Sequence, residues 1–195
     1  RFEVLRGGDP IGEKVVRVAR EGDSAEVEIR IDLAVKILGI TAYRYELRSR
    51  ETWEAGRLVS LDGETNDDGD AYAAKVRRDG DRLISEGTWK GEIPGDAGTT
   101  TYWSKAFLDR SVWISTQSGE PLDVTCAPDG QERIPGPSGE LLCDRWRVTG
   151  ELPVTLYYDS RGEWMGNAFD ASGERAWFRT VQETGRLAPL WPERA

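Results

Sequence analysis

Hydrophobic and polar positions alternate with a period of two over much of the chain. In residues 25–33, Ala25, Val27, Ile29, Ile31 and Leu33 alternate with Glu26, Glu28, Arg30 and Asp32. That period puts one set of side chains on each face of a β-strand, one dry and one wet. Residues 40–66 carry the longest version. Tyr43, Tyr45, Leu47, Ser49, Glu51 and Trp53 fall on one face, and Arg44, Glu46, Arg48, Arg50 and Thr52 on the other. A turn at residues 54–57 and the apolar return at 58–61 make this a long antiparallel hairpin. Ser49 and Glu51 are the polar exceptions on its aromatic face.

Shorter alternating segments fill most of the remainder. Residues 14–20, 72–76, 83–90, 112–116, 122–126, 142–150, 154–158, 164–169 and 176–181 read as strands, separated by turns such as Arg78-Asp79-Gly80-Asp81 and Asp170-Ala171-Ser172-Gly173. In residues 142–150, Leu142, Trp146 and Val148 share a face, with Asp144 in phase. One segment breaks the rule: residues 100–110 place Trp103, Ala106 and Phe107 at helical spacing behind Thr residues suited to an N-cap. The pattern predicts an all-β fold, an antiparallel meander of about ten to twelve strands closing partly or fully into a barrel, with one short helix at its mouth. Residues 1–182 make the barrel. Residues 183–195, with Pro189 and Pro192, make a surface tail.

The chain of 195 residues is long enough for one sizeable core. A formal charge of −9 argues against nucleic acid and anionic membrane surfaces. Its apolar runs are too short for insertion in a membrane as helices. The absence of His removes Ser-His-Asp and Cys-His catalysis and every His-based metal site. The acidic run from Asp62 to Asp70 imitates a calcium loop, but Lys75 stands where a bidentate carboxylate is needed, so a solvated hairpin turn fits better. No cofactor or metal is expected.

Cys126 and Cys143 lie near strand ends that pair as neighbours if the meander is regular. An oxidising compartment would then close a disulfide contributing roughly 3 kcal/mol; in a reducing one they are two buried thiols. The eight Trp and six Tyr either fill the core or line a cavity. Tyr43, Tyr45, Trp53, Trp89, Tyr102 and Trp103 are the candidates for wall and mouth, with Arg44 and Gln117 as polar candidates. Glu51 and Asp144, pointing inward by phase, are candidates for an acid or base, with Tyr102 as a partner.

Several segments together resemble a family of exported bacterial proteins described only as a domain of unknown function. These are Phe2-Glu3-Val4 with Ile11-Gly12, Tyr43-Arg44-Tyr45, Trp53-x-x-Gly56-x-Leu58-x-Ser60, Thr65-Asn66-Asp67-Asp68-Gly69, Thr101-x-Trp103, Arg145-Trp146-x-x-x-Gly150, and Tyr158-Asp159 with Gly162. The resemblance runs from residue 2 to about 181. It differs from that pattern in Tyr102 and Ser104, which flank the helix Trp. The resemblance implies a removed leader, a periplasmic or secreted location, and a distant likeness to lipoprotein carriers, which are incomplete barrels with a helical lid over an apolar concavity.

The expected function is therefore a carrier for a small apolar or amphipathic molecule. The alternatives are a cofactor-independent isomerase, cyclase or hydrolase, and a structural component that uses the barrel rim to bind a protein partner.

Overall fold

The protein is described by a computed structural model over residues 1–37 and 40–187. Fifteen strands make one sheet. The first eight are β1 (Phe2–Arg6), β2 (Asp9–Glu21), β3 (Ser24–Ile37), β4 (Ile40–Glu54), β5 (Arg57–Asp67), β6 (Asp70–Asp79), β7 (Arg82–Glu86) and β8 (Lys90–Pro94). The others are β9 (Gly98–Thr99), β10 (Val112–Ile114), β11 (Pro121–Gly136), β12 (Gly139–Gly150), β13 (Val154–Tyr158), β14 (Trp164–Ala171) and β15 (Glu174–Thr180). Hairpins run outward in both directions from a central pairing of β1 with β15. All neighbours are antiparallel except β9 and β10.

The strand count exceeds the expected ten to twelve because the chain between residues 82 and 114 is cut into short pieces. Those pieces form the two edges of the sheet. Residues 95–97 connect β8 at one edge to β9 at the other. So short a link spans at most roughly 14 Å, which forces the sheet to curl until its edges approach. No ladder joins β8 to β9 among the described residues, so the sheet is not closed. The Trp89 N–H reaches across this seam to the Ser118 carbonyl at 3.0 Å.

The inward phase of the long strands fills the curve. Val27, Leu47, Trp53, Leu61, Val76 and Leu83 are all buried there. The segment around Thr116 passes so close to this face that a Cβ on Gly63 would meet the Thr116 carbonyl oxygen at 2.5 Å. Only glycine at position 63 admits that crossing.

The helix expected over residues 100–110 is a single 3-10 turn, Lys105–Asp109. Ser104 occupies its N-cap without a side-chain capping bond. The Thr99 and Thr101 hydroxyls bond each other at 2.7 Å rather than capping the turn. Trp103 precedes it, and Phe107 stacks on Trp53 at 5.1 Å.

β11 and β12 form a long hairpin with a bulge between Pro128 and Gln131. Beyond the bulge it leaves the main core and packs Ile134, Leu141 and Cys143 on a second apolar cluster with Tyr157, Met165 and Trp177. This corrects two expectations. The predicted phase of β12 holds, but only Trp146 and Val148 reach the main core, and Leu142 is 48% exposed. Cys126 and Cys143 are both free. They pair with Val148 and Glu132 respectively, which puts them about five rungs, roughly 16 Å, apart along β12. They also belong to different clusters, Cys126 against the main core and Cys143 in the second. No disulfide closes across that separation, and burial pushes the two thiols up to about 11 and about 12.

After β15 the chain stays near the barrel. Leu187 packs against the main core and its N–H donates to Glu163 Oε2 at 2.8 Å. Pro189 and Pro192 of the expected tail lie outside the described residues.

Candidate ligand-binding site

A cavity of about 490 Å³ opens between the inner faces of β2–β4 and β13–β15, with residues 100–102 and 115–117 along one side. Its wall is mainly aliphatic and aromatic, with Ile31, Leu33, Leu47, Val154, Tyr102 and Phe178 among the lining residues. All but Tyr102 arrive on strands, and Tyr102 comes from the loop after β9. Ile31 and Leu33 continue the series from Val27 and Ile29, and Tyr45 continues back from Leu47.

A polar bridge spans the mouth. The Tyr45 hydroxyl donates to Gln117 Oε1 at 3.2 Å, and the Tyr43 hydroxyl donates to Asp67 Oδ1 at 2.7 Å. Gln117 Nε2 approaches the other Asp67 oxygen at 3.5 Å. Desolvation and the Asp67 carboxylate push the Tyr45 phenol up to about 12, and the same two causes raise Tyr43. Both stay neutral hydrogen-bonding groups at ordinary pH.

Two buried polar side chains in the wall have no partner of this kind. Lys14 is 4% exposed and is the only Lys or Arg among the described lining residues. Its Nζ lies 4.7 Å from the Trp164 ring centre and 5.4 Å from that of Tyr102. No carboxylate comes within ion-pair distance among the described residues, and burial pushes the ammonium down to about 7, only partly opposed by the charge of Glu51. Asn167, 3% exposed, leaves its Oδ1 without a hydrogen bond. Tyr102 adds a backbone irregularity to the same wall. Its φ is 61°, a left-handed value costly for an aromatic residue, and its carbonyl accepts the Tyr158 hydroxyl at 3.0 Å.

The sequence-derived candidates separate into groups. Tyr43, Tyr45, Tyr102 and Gln117 line the cavity. Trp53 and Trp103 instead clamp Glu51: their indole N–H groups donate to Glu51 Oε2 at 2.7 and 3.2 Å. Glu51 is fully buried and does not line the cavity. Desolvation raises its carboxyl above the usual range, while the indoles and the nearby Thr99 and Thr101 hydroxyls pull the other way. Those hydroxyls face the carboxyl without meeting hydrogen-bond geometry, so Oε1 stays unpaired. Trp89 packs against the core at the β7–β8 turn. Arg44 projects outward and sits 3.6 Å from Glu46. Asp144 lies on the departing hairpin, where it accepts from Gln131 Nε2 at 2.9 Å and sits 3.6 Å from Lys105 Nζ.

Sequence reasoning overlooked Lys14 and Asn167. For Lys14 the signal existed, because it is in phase with Val16 and Val18 on β2. For Asn167 it did not: β14 is buried on both faces from Trp164 to Ala168, so no alternation marks its polar residue. No group of three or more His, Cys, Asp or Glu is arranged to hold a metal among the described residues.

Among solved structures, the fold is similar to the crystal structure of a beta-barrel-like protein of domain of unknown function DUF1849 from Brucella abortus. The TM-score is 0.63 at 7% identity, covering 91% of this chain and 92% of that one. A DUF1089 family protein from Pseudomonas aeruginosa is a weaker likeness, with a TM-score of 0.41 at 13% identity, covering 78% and 88%. No curated protein matches the chain. The sequence profile of a domain of unknown function, DUF6134, matches residues 2–181, and the chain belongs to that family.

Proposed function

We propose that the domain binds a small apolar or amphipathic molecule in the cavity between β2–β4 and β13–β15, and acts as an exported, periplasmic carrier. One observation carries the reading: the cavity of about 490 Å³ is walled by apolar side chains, yet contains a few inward polar groups. That size and composition match small-molecule sites, which run roughly 300–1,000 Å³. The larger concavity of about 920 Å³ is bordered by outward-facing Arg30, Arg48, Arg50, Glu28, Asp62 and Glu64. Its apolar lining is limited to Val15, Ile29 and the small residues Gly63, Ala73 and Ala74, set among charged side chains. The exported location rests on the family resemblance.

Native mass spectrometry of protein purified from its own host, before and after organic extraction, tests the reading. A small molecule lost on extraction is expected. A Leu33→Trp variant, which fills the cavity, should carry none. A bare mass, together with unchanged uptake of an apolar fluorescent probe by Leu33→Trp, would remove the cavity as the binding site.

A further inference from the structure

We infer that the cavity selects amphipaths with an anionic head group, the Lys14 ammonium serving as counter-ion and the Asn167 amide as hydrogen-bond donor, an inference that rests on the cavity being the binding site. A lysine buried without a carboxylate is a costly arrangement, since desolvation of the ammonium is offset only by a matched anion or by loss of the proton. The two aromatic rings at 4.7 and 5.4 Å offset part of that cost. They do not supply a charge. No ion pair does so among the described residues: the carboxyl that acts on Lys14 is Glu51, and it is turned into its own indole clamp.

Asn167 strengthens the case from a second strand. It is buried in the same wall and lines the cavity, and its Nδ2 makes no hydrogen bond within the described residues, so a donor is available there. A head group beside Lys14 pairs with its ammonium and can accept from the Asn167 Nδ2 amide, while its tail lies along Ile31, Leu33 and Phe178. The other titratable groups facing this space are the Tyr43, Tyr45 and Tyr102 phenols, all raised and therefore neutral, and Asp67 and Asp170 among the lining residues. A single cation matches a single negative charge, which favours a carboxylate over a phosphate dianion.

The inference fixes a pH dependence. Free Lys14 loses its proton near pH 7, so binding an anion above that pH requires proton uptake. Affinity for a carboxylate should be flat between about pH 5.5, where the ligand is ionised, and about pH 7, and fall by up to roughly tenfold per pH unit above it.

The test compares dodecanoate, dodecyl phosphate and dodecanol by isothermal titration calorimetry, on the wild-type protein and on Lys14→Met. Dodecanoate is expected to bind the wild type at least tenfold more tightly than dodecanol at about pH 6.5, with the advantage fading by about pH 9. In Lys14→Met the two should bind alike. Tighter binding of dodecyl phosphate than of dodecanoate would reassign the head group to a phosphate. If dodecanol binds and dodecanoate shows neither the preference nor the pH dependence, the inference about Lys14 is overturned and the cavity stands. If none of the three binds the wild type, the binding-site reading itself fails. The wild-type pH profile decides the matter even if the variant does not fold.

Discussion

Glu51 and Lys14 are buried ionisable side chains of opposite sign, and the fold treats them differently. Glu51 sits on β4 between Val27 and Leu61 of the neighbouring strands, with two indole N–H groups on one oxygen. Lys14 sits on β2 opposite Ile31, and its ammonium faces two aromatic rings and the cavity. Around Glu51 the side chains have converged on one oxygen of an acid; around Lys14 they leave an opening. The first arrangement stabilises the barrel by locking Trp53 and Trp103 to the inner sheet. The second destabilises it, and the protein tolerates the loss. A charge kept without a partner beside an apolar cavity points to recognition, whereas a clamped one points to architecture.

The largest effect is expected at the clamp. Glu51→Ala leaves both indole donors unpaired in a dry core and opens a hole beside Leu61. Denaturant unfolding should register a loss of about 4 kcal/mol. Glu51→Gln keeps an acceptor for the indoles and should lose only about 1 kcal/mol. Because burial raises the Glu51 carboxyl, the unfolded chain gives up this proton at lower pH than the folded one. Its contribution to stability is therefore greatest below about pH 4.5 and declines as pH rises through the interval up to the folded value. Glu51→Gln should flatten that decline. A variant that keeps the wild-type slope would show that the carboxyl holds an ordinary pKa, and that the clamp binds an anion.

Lys14 should behave in the opposite sense. Its folded value of about 7 lies below the free value of 10.5, so between these the unfolded chain holds the extra proton and stability rises with pH. Below about pH 7 the penalty of the buried ammonium is complete. Lys14→Met should therefore raise stability there, by on the order of 3 kcal/mol, and the gain should shrink towards pH 10.5. The full interval corresponds to roughly 5 kcal/mol, but a cavity of this size leaves room for water at the ammonium and lowers the penalty. A loss of stability in Lys14→Met at pH 6 would mean that Lys14 is an architectural residue like Glu51.

The contrast also separates what strand phase reveals from what it hides. The inward face of β4 was legible from Tyr43 to Trp53, and with it the burial of Glu51. The family was legible too, in the order and spacing of short segments from residue 2 to 181. What Glu51 does was not legible, because its partner Trp103 comes from a segment 52 residues away whose helical spacing proved to be the approach to a 3-10 turn. Asp144 shares the correct phase but sits where the hairpin has bent away from the core. Phase gives direction along a strand, and only the path of the strand says whether that direction is inside. Lys14 shares the inward phase of Val16 and Val18, but a lysine there reads as a strand end with its head in water. Nothing local says that β1, β3 and the segment at Tyr102 will enclose it.

The smallest effect sharpens the comparison most, because it concerns a neutral group. Asn167 is as buried as Glu51 and as unpartnered as Lys14, without a charge to dominate the outcome. If the cavity wall is built for a ligand, its amide is a standing loss in the empty protein. Asn167→Leu, close in volume, replaces an orphaned acceptor with apolar surface facing Leu156 and Phe178 across the sheet. A gain of about 1 kcal/mol in denaturant unfolding is then expected, together with weaker binding of dodecanoate through loss of the Nδ2 donor. A loss of similar size would place Asn167 in a hydrogen-bonded network that holds β14 in place. The polar floor of the cavity would then belong with the Glu51 clamp, and Lys14 would stand as the one group the barrel leaves for something else to satisfy.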